Sequence, residues 1–317
     1  MAETNVHETF RGDLLAHCYR MVGSVEEAED LVQETMVRAW RAADRYDPSL
    51  ASLRTWLHRI ATNVCLTALD GKARRPLPSG LVPAGDDPYA PLTPSLDVPW
   101  LQPFPDVRLG DPAVAAQQRA GLRLALVAAL QLLPARQRAA LVLRDVLQFS
   151  AAEVARALDT SVASVNSSLQ RARATLQEAA PELEELSEPA DPDERAVVDR
   201  YLAAFEAADV AGLTKLLADD VVLEMPPVAL WLEGRAHYST FMERVFAMRG
   251  PGWRMLPVAA NGSTGLATYA PADGGLRAHS VQVLAISGGL VRRCVTFADP
   301  AVFGLFGLPA TLNDGGE

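Results

Sequence analysis

Nine prolines between residues 76 and 110, at positions 76, 78, 83, 88, 91, 94, 99, 103 and 105, interrupt regular structure and mark a linker between the parts on either side. Each proline fixes φ and lacks an N–H, so no regular helix or central strand can run through most of the stretch. The 317 residues leave room for two or three domains around it. At 49% hydrophobic and 21% charged residues, those domains are globular rather than disordered. The stretch is more than a spacer. Within VPWLQPFPD, residues 98–106, the apolar side chains of Trp100, Leu101 and Phe104 call for burial and are expected to dock on another module.

Before the prolines, residues 8–75 read as all-helical. Apolar residues at 10, 14, 15, 18 and 21 give one side of a helix, which Gly23 and Ser24 break. Ser24 can cap the next helix, about 25–42, with Glu27 at the matching capping-box position. A third helix, Leu53 to Leu69, carries Leu53, Trp56, Leu57, Ile60, Val64 and Leu69 on its apolar side. None of the three is apolar all round, so they pack on one another.

After the prolines, about 112–178 is again helical. Ala120 to Leu132 reads as one apolar helix, and Pro134 opens the next at its tolerated first-turn position. Phe149 and Ser150 form a corner, Ala151 to Leu158 a short helix, and Thr160 or Ser161 caps a second. Together they read as a helix-turn-helix. Val162, Val165, Leu169 and Leu176 would face inward. Ser161, Ser164, Ser167, Ser168, Arg171 and Arg173 are left for phosphates or base edges. A plain helical hairpin with a solvated face fits the same pattern. Charge favours the nucleic-acid reading: residues 111–180 carry eight Arg against five acids in a chain of formal net charge −10. The following segment, PELEELSEPADPDER at 181–195, is an acidic linker that reads as a solvated hinge or, more sharply, as a screen for this basic face.

Residues 196–310 mix helix and sheet. Helices are expected from Val197 to Ala207, Leu213 to Leu217 and Tyr238 to Met248, with a strand from Val221 to Met225. Strand-like runs at 254–260, 264–270, 276–287 and 290–297 are separated by Asn-Gly, Asp-Gly and Gly-Gly turns. An α+β domain with a curved sheet over helices follows.

The segments AEDLVQETMVRAWR, 28–41, and SLRTWLHRIATNVCLTAL, 52–69, resemble domain 2 of the extracytoplasmic-function group of bacterial RNA polymerase sigma factors. LPARQRAALVLRDVLQFSAAEVARALDTSVASVNSSLQRARATL, 133–176, resembles their domain 4. The tail segments 201–227 and 231–242 resemble the SnoaL-like branch of the NTF2-like superfamily. The resemblance implies two all-α sigma domains, the second with the helix-turn-helix, followed by an α+β cone-shaped NTF2-like domain. The boundaries are 8–75 for domain 2, 76–111 for the Pro-rich linker, 112–178 for domain 4, 179–195 for the acidic linker and 196–310 for the tail.

It implies roles as well. Asp30, Leu31, Gln33 and Glu34 would dock on the β′ clamp helices of core RNA polymerase, with the β flap as a further contact. Arg54, Trp56, His58, Arg59, Thr62 and Asn63 would meet the −10 element of promoter DNA, where exposed bases stack on aromatics. The serine and arginine face listed for the reading helix would enter the −35 major groove. Transcription initiation, with activity modulated by the tail, is the expected function. A related subgroup pairs a WLPEP linker with a distal DGGGK. This chain departs from that pair, with Trp100–Leu101–Gln102–Pro103 and only Asp273–Gly274–Gly275 or Asp314–Gly315–Gly316.

SnoaL-like relatives include cyclases and isomerases, so a small-molecule binder or such an enzyme on a retained sigma scaffold is the alternative. Glu224, Trp231, His237, Tyr269 and His279 are the candidates for a pocket and its small-molecule ligand. Strand parity groups His279 with Val281 and Val283. No metalloprotease, phosphate-loop or nucleophile-elbow motif is present, and no metal or cofactor is called for. The expectation is therefore binding without bond chemistry. Cys18, Cys65 and Cys294 read as isolated thiols of a reducing cytoplasm. The start has no secretory pattern and no apolar run spans a bilayer, so a cytoplasmic protein with no membrane partner is expected.

Overall fold

The structure is a computed structural model that describes residues 9–179, 192–272 and 274–312. Most of the acidic linker, with Asp273 and Asp314–Gly315–Gly316, lies outside the described residues. The chain divides into two compact units. One joins the part up to Arg75 with the part from Val107, and the other joins Pro76–Asp106 with the C-terminal part.

The first unit is all-helical. Helix α1, Arg11–Val22, ends where Gly23 takes φ 73° and donates its N–H to the Tyr19 carbonyl at 2.7 Å. This left-handed exit is cheap only for glycine. Ser24 then caps α2, Val25–Arg41, accepting the Glu27 N–H at 3.3 Å. The expected capping box is half made, because the Glu27 carboxylate turns away to pair with Lys72 and Arg75. Ser52 caps α3, Leu53–Leu69. Leu14, Leu15, Cys18, Ala28, Val32, Leu57, Ala61 and Cys65 fill the core of these three helices.

A second helical group completes the unit. The apolar helix expected from Ala120 is instead two: α4, Pro112–Leu122, and α5, Leu124–Gln131. Arg123 breaks them with an extended ψ of 129°. Then come α6, Ala135–Leu141, a π turn over Val142–Val146, α7, Ala151–Ala157, and α8, Val162–Ala179. Ser150 and Glu153 form a full capping box at α7. Asp159, at φ 49°, turns the chain between α7 and α8.

The second unit carries α9, Pro192–Glu206, α10, Val210–Thr214, and a seven-stranded mixed sheet. Its strands are β1, Leu217–Glu224, β2, Trp231–Glu233, β3, Arg254–Ala260, β4, Ser263–Ala272, β5, Gly275–Ser287, β6, Leu290–Phe297, and β7, Thr311–Leu312. The path is β2-β1-β6-β5-β4-β3, with β7 on β5. Among these strands of the described residues, β1 and β6 pair in parallel and the other pairs are antiparallel. Helix α11, Arg235–Arg249, follows β2, and a short α12, Val302–Leu305, follows β6. The helix expected from Leu213 to Leu217 is displaced. Asp209 caps its start by accepting the Gly212 N–H, and Leu217 pairs with Val291 as the first residue of β1.

The proline-rich segment belongs to this unit, held by separate hydrogen bonds rather than by a regular element. Gly85 N–H donates to the Trp231 carbonyl at 2.8 Å, Trp231 Nε1 to the Val82 carbonyl at 2.8 Å, and Ser95 N–H to the Pro227 carbonyl at 2.8 Å. Arg244 donates to the carbonyls of Pro88 and Ala90. The Asn261–Gly262 turn, with φ 53° and 73°, joins β3 to β4. Its Asn261 Oδ1 accepts the Phe104 N–H at 2.9 Å, and its own N–H donates to the Phe104 carbonyl at 2.8 Å.

Candidate nucleic-acid interface

Ser161 Oγ accepts the Ser164 N–H at 3.2 Å and so starts α8. Val165, Leu169 and Ala172, spaced i, i+4, i+7, are buried. Val162, read as inward, is 43% exposed. Being the first helical residue, it lies beyond the reach of that stripe. Ser161, Ser164, Ser167, Arg171 and Arg173 are exposed and Ser168 is half-buried. Arg171 reaches Ser168 Oγ at 3.5 Å. Arg173 is held by Asp145 through two bonds, at 2.7 and 3.0 Å, which fix its guanidinium in the charged form. The outer face of α8 thus presents hydroxyls and guanidinium groups, the donors that read phosphates and guanine edges.

The six −10 candidates on α3 divide into two stripes. Trp56, Arg59 and Asn63, spaced i, i+3, i+7, form the outer one. Arg59 and Asn63 are exposed, and Trp56 is half-buried against Tyr46 with ring centroids 5.2 Å apart. Arg54, His58 and Thr62, spaced i, i+4, i+8, form the inner one. There Arg54 lies 5.2 Å over the ring of Phe149 and donates to the Leu147 carbonyl at 3.3 Å. His58 is fully buried edge-on to Phe149 at 5.6 Å.

Opposite this inner stripe, α1 presents Asp13, His17 and Arg20, spaced i, i+4, i+7. Thr62 Oγ1 donates to the His58 carbonyl at 2.7 Å and sits 3.0 Å from His17 Nε2, so it accepts from that nitrogen. His58 Nδ1 donates to the Arg54 carbonyl at 2.8 Å. Burial holds both imidazoles neutral. It pushes His58 down to about 3, and His17 falls well below its usual 6.5, with help from His58, Arg20 and Arg54. Arg20 and Arg138, also buried, are lowered to about 10 mainly by desolvation.

On α2, Asp30, Gln33 and Glu34 are exposed, with Glu34 accepting from Arg38 at 2.6 Å. Leu31 instead packs inward. Two residues that sequence reasoning passed over share the exposed side, Val37 and Trp40, the latter 75% exposed. Trp40 stands one residue before the end of α2. The cysteines also differ from expectation. Cys18 and Cys65 are not isolated: their side chains hydrogen-bond between α1 and α3, which together with burial raises the Cys65 thiol well above its usual value.

In the second unit, Leu101 and Phe104 are buried and Trp100 half-buried, its Nε1 donating to the Ser95 carbonyl at 2.8 Å. The pocket candidates do not converge. Glu224 pairs with Arg293 and accepts the Ser79 N–H at 2.9 Å. Trp231 bonds to Val82, and Tyr269 donates to the Pro309 carbonyl at 3.0 Å. His237 is half-buried, its Nδ1 2.8 Å from the Glu233 carbonyl. His279 lies edge-on to Trp253 at 5.1 Å, and burial lowers it to about 4. The parity that grouped it with Val281 fails, because Thr268 pairs with Ser280 but Tyr269 with Ala278, leaving His279 as a bulged residue.

A different set does converge. Tyr201 on α9 bonds through its hydroxyl to Tyr238 on α11 at 2.6 Å and donates to Gln282 Oε1 on β5 at 2.8 Å. Gln282 Nε2 reaches Thr268 Oγ1 at 3.4 Å, and Cys294 Sγ lies 3.7 Å from Gln282 Oε1. Burial raises both phenols well above 10.0. Gln282, a polar residue inside the apolar run SVQVLAI, was the sequence signal for this cluster. Among the described residues no group of three His, Cys, Asp or Glu is arranged to hold a metal ion, and no helix is long and apolar enough to cross a membrane.

Comparison with known proteins accords with this division. The chain matches the family descriptions Sigma-70 region 2 over residues 6–75, Sigma-70 region 4 over 123–176 and SnoaL-like domain over 198–294. It is 46% identical over 309 residues to the ECF RNA polymerase sigma factor SigG of Mycobacterium tuberculosis, covering 96% of this chain and 83% of that one. The crystal structure of the M. tuberculosis extracytoplasmic function sigma factor SigJ has a similar fold, with TM-score 0.67 and 24% identity over 97% of this chain and 100% of that one. One expectation is corrected. Solved structures similar to the tail include an M. tuberculosis LEH-like epoxide hydrolase, with TM-score 0.30 and 18% identity over 37% of this chain and 92% of that one. The SnoaL-like match assigns no activity here, but one fold hosts many chemistries, so missing motifs do not exclude bond chemistry in the tail.

Proposed function

This chain belongs to the extracytoplasmic-function RNA polymerase sigma factors, and we propose that it directs core polymerase to promoters by contacts at the −10 and −35 elements. The observation that carries the reading is the outer face of α8, with Ser164, Ser167 and Arg171 exposed on a helix whose opposite side is packed. Arg59 and Asn63 offer the matching exposed groups on α3, and Asp30, Gln33 and Glu34 offer the core-binding surface on α2. The tail acts as a regulator that keeps hold of the segment joining the two sigma domains. The hydrogen bonds from Glu224, Trp231, Arg244 and Asn261 to that segment support this. The bulges in β4–β5 and β5–β6 fit a sheet curved into a cone.

Run-off transcription with purified core polymerase on genomic promoter fragments tests the reading. Specific transcripts are expected, with Asp30→Ala weakening core binding and Arg171→Ala weakening promoter binding. Failure to bind core or to yield transcripts, where a control sigma factor succeeds, would count against it.

A further inference from the structure

We infer that Gln170, on the outward face of α8, reads one adenine of the −35 element through its amide and so sets part of the promoter choice. The inference rests on the sigma reading above and names the base that this side chain selects.

The placement of Gln170 follows from the packing of α8. Val165, Leu169 and Ala172 are buried on its inner side. At about 100° of rotation per residue, the direction directly opposite falls between Ser167 and Ala174, with Ala163 close by. These three are exposed and short, so they let the helix backbone approach base edges without filling the space between. Two long side chains, Gln170 and Arg171, flank that line about 50° to either side. Gln170 stands ninth of the 18 residues of α8, and in helix-turn-helix proteins the first part of the second helix meets base edges.

The arginines of this region are engaged elsewhere. Arg136 and Arg144 donate to the carbonyls of Leu158 and Phe149, Arg138 is buried, and Arg173 is bound to Asp145. Arg171 turns away from the outermost line, toward Ser168, whose Oγ its Nη2 reaches at 3.5 Å. From there it suits a phosphate on the groove wall. Asn166, the other exposed amide in the first half of α8, lies only about 100° from buried Val165 and so at the edge of the face. Among the described residues the Gln170 amide has no hydrogen-bond partner, whereas Gln118, Gln131, Gln148 and Gln282 engage theirs within the protein.

The chemistry of the amide selects the base. Its carbonyl accepts and its NH2 donates, side by side. In the major groove the adenine edge sets an acceptor, N7, beside a donor, the 6-amino group, and a glutamine amide meets both at once. Guanine shows two acceptors there, cytosine a donor, and thymine an acceptor beside a methyl group. Against any of these, half of the amide would be desolvated without a partner.

The test uses the full-length chain on core polymerase, bound to a promoter found by run-off transcription. Adenines of the footprinted −35 element are replaced one at a time by 7-deazaadenine, which keeps the base pair and removes the N7 acceptor. One replacement should weaken wild-type binding several-fold. Gln170→Ala keeps the helix, since alanine is the better helix former. It should weaken binding to the unmodified promoter roughly 5- to 100-fold, the range of one two-bond base contact, and should be indifferent to the deaza base at that position. Its salt dependence should match the wild type, because no charge is lost. Gln170→Glu, which accepts but does not donate, should shift the preference at that position from adenine toward cytosine. A −35 element without adenine, or a wild type insensitive to 7-deazaadenine at every position, would overturn the inference. So would a Gln170→Ala chain that binds as tightly as the wild type or stays sensitive to the same replacement. Each of these results leaves the sigma reading standing. Absence of a −35 footprint with the wild type, where a control sigma factor gives one, would remove the sigma reading and this inference with it.

Discussion

Two buried polar clusters in this chain are built to opposite rules. In the tail, Tyr201, Tyr238, Gln282, Thr268 and Cys294 are neutral and bond to one another, and none leaves a buried side-chain nitrogen or oxygen without a partner. In the seam between the helical groups, Arg20, Arg138, His17 and His58 include charged side chains and each leaves a nitrogen unpaired. A satisfied neutral network specifies a single arrangement. Buried charge with incomplete partners can be strongly directional and still contribute little net stability. The same polar burial therefore specifies one core and adds little net stability at the other seam.

The largest effect that tests this contrast is in the tail. Trp253 packs edge-on against Phe205, Phe246 and His279. Trp253→Ala should cost about 3–5 kcal/mol. Hydrogen exchange should show β4 and β5 losing protection while α1–α3 keep theirs. Joint loss in both units would mean that they melt as one body and would break the comparison. Next in size, Tyr201→Phe removes the hydroxyl shared by Tyr238 and Gln282 and should cost about 1–3 kcal/mol by urea titration. Pairing it with Gln282→Leu should cost less than the two changes summed, because the stranded partner is then gone.

pH separates the clusters by sign. At the seam, His17 and His58 face each other, Arg20, Arg54 and Asp13, with Thr62 and Phe149 beside them. Folded, they take up a proton only well below the ordinary 6.5, His58 at about 3. Well above pH 6.5 they are neutral in every state and contribute no pH dependence. Below it, the unfolded chain binds protons that the folded seam refuses, and stability falls by up to roughly 1.4 kcal/mol per pH unit for each histidine. The tail does the reverse: its buried phenols resist ionisation, so its stability falls as pH rises past 10.0. Urea midpoints reported separately from α1–α3 and β4–β5 between pH 5 and 7 should move only for the helices. An unmoved helical midpoint would show that the histidines are not held neutral by burial.

What could be read from the chain beforehand was whatever local sequence decides. Gly23 and Ser24 mark a helix end and the next cap, Ser161 starts the reading helix, and Asn261–Gly262 is a turn by its own φ requirement. What could not be read depended on partners distant in sequence. Helical spacing alone separates Arg54, His58 and Thr62 from Trp56, Arg59 and Asn63, but which stripe is covered depends on Phe149 and on His17 of α1. Cys18 and Cys65 lie 47 positions apart and meet only because α1 packs on α3. A single bulged residue defeated the parity of His279. Gln282 could have been noticed, since a polar residue in an apolar strand needs a partner, but Tyr201 and Tyr238 come from helices that no strand pattern links to it.

The smallest effect lies on the surface, where Asp145 holds Arg173 on the face proposed for DNA. Exposed pairs of this kind contribute about 0–1 kcal/mol, so Asp145→Asn should scarcely change stability. It should change binding. Freed from the carboxylate, Arg173 can neutralise a phosphate, and the salt dependence of promoter affinity should steepen by about one counterion. Arg173→Ala in the same background should return the slope to the wild-type value, because the wild-type guanidinium is already occupied. If Asp145→Asn leaves the slope unchanged, Arg173 does not reach the backbone and Arg171 is the arginine of α8 that does. The outer face of α8 would then resemble the seam in one respect: a charge fixed by a neighbour inside the protein, and not by the partner it was expected to meet.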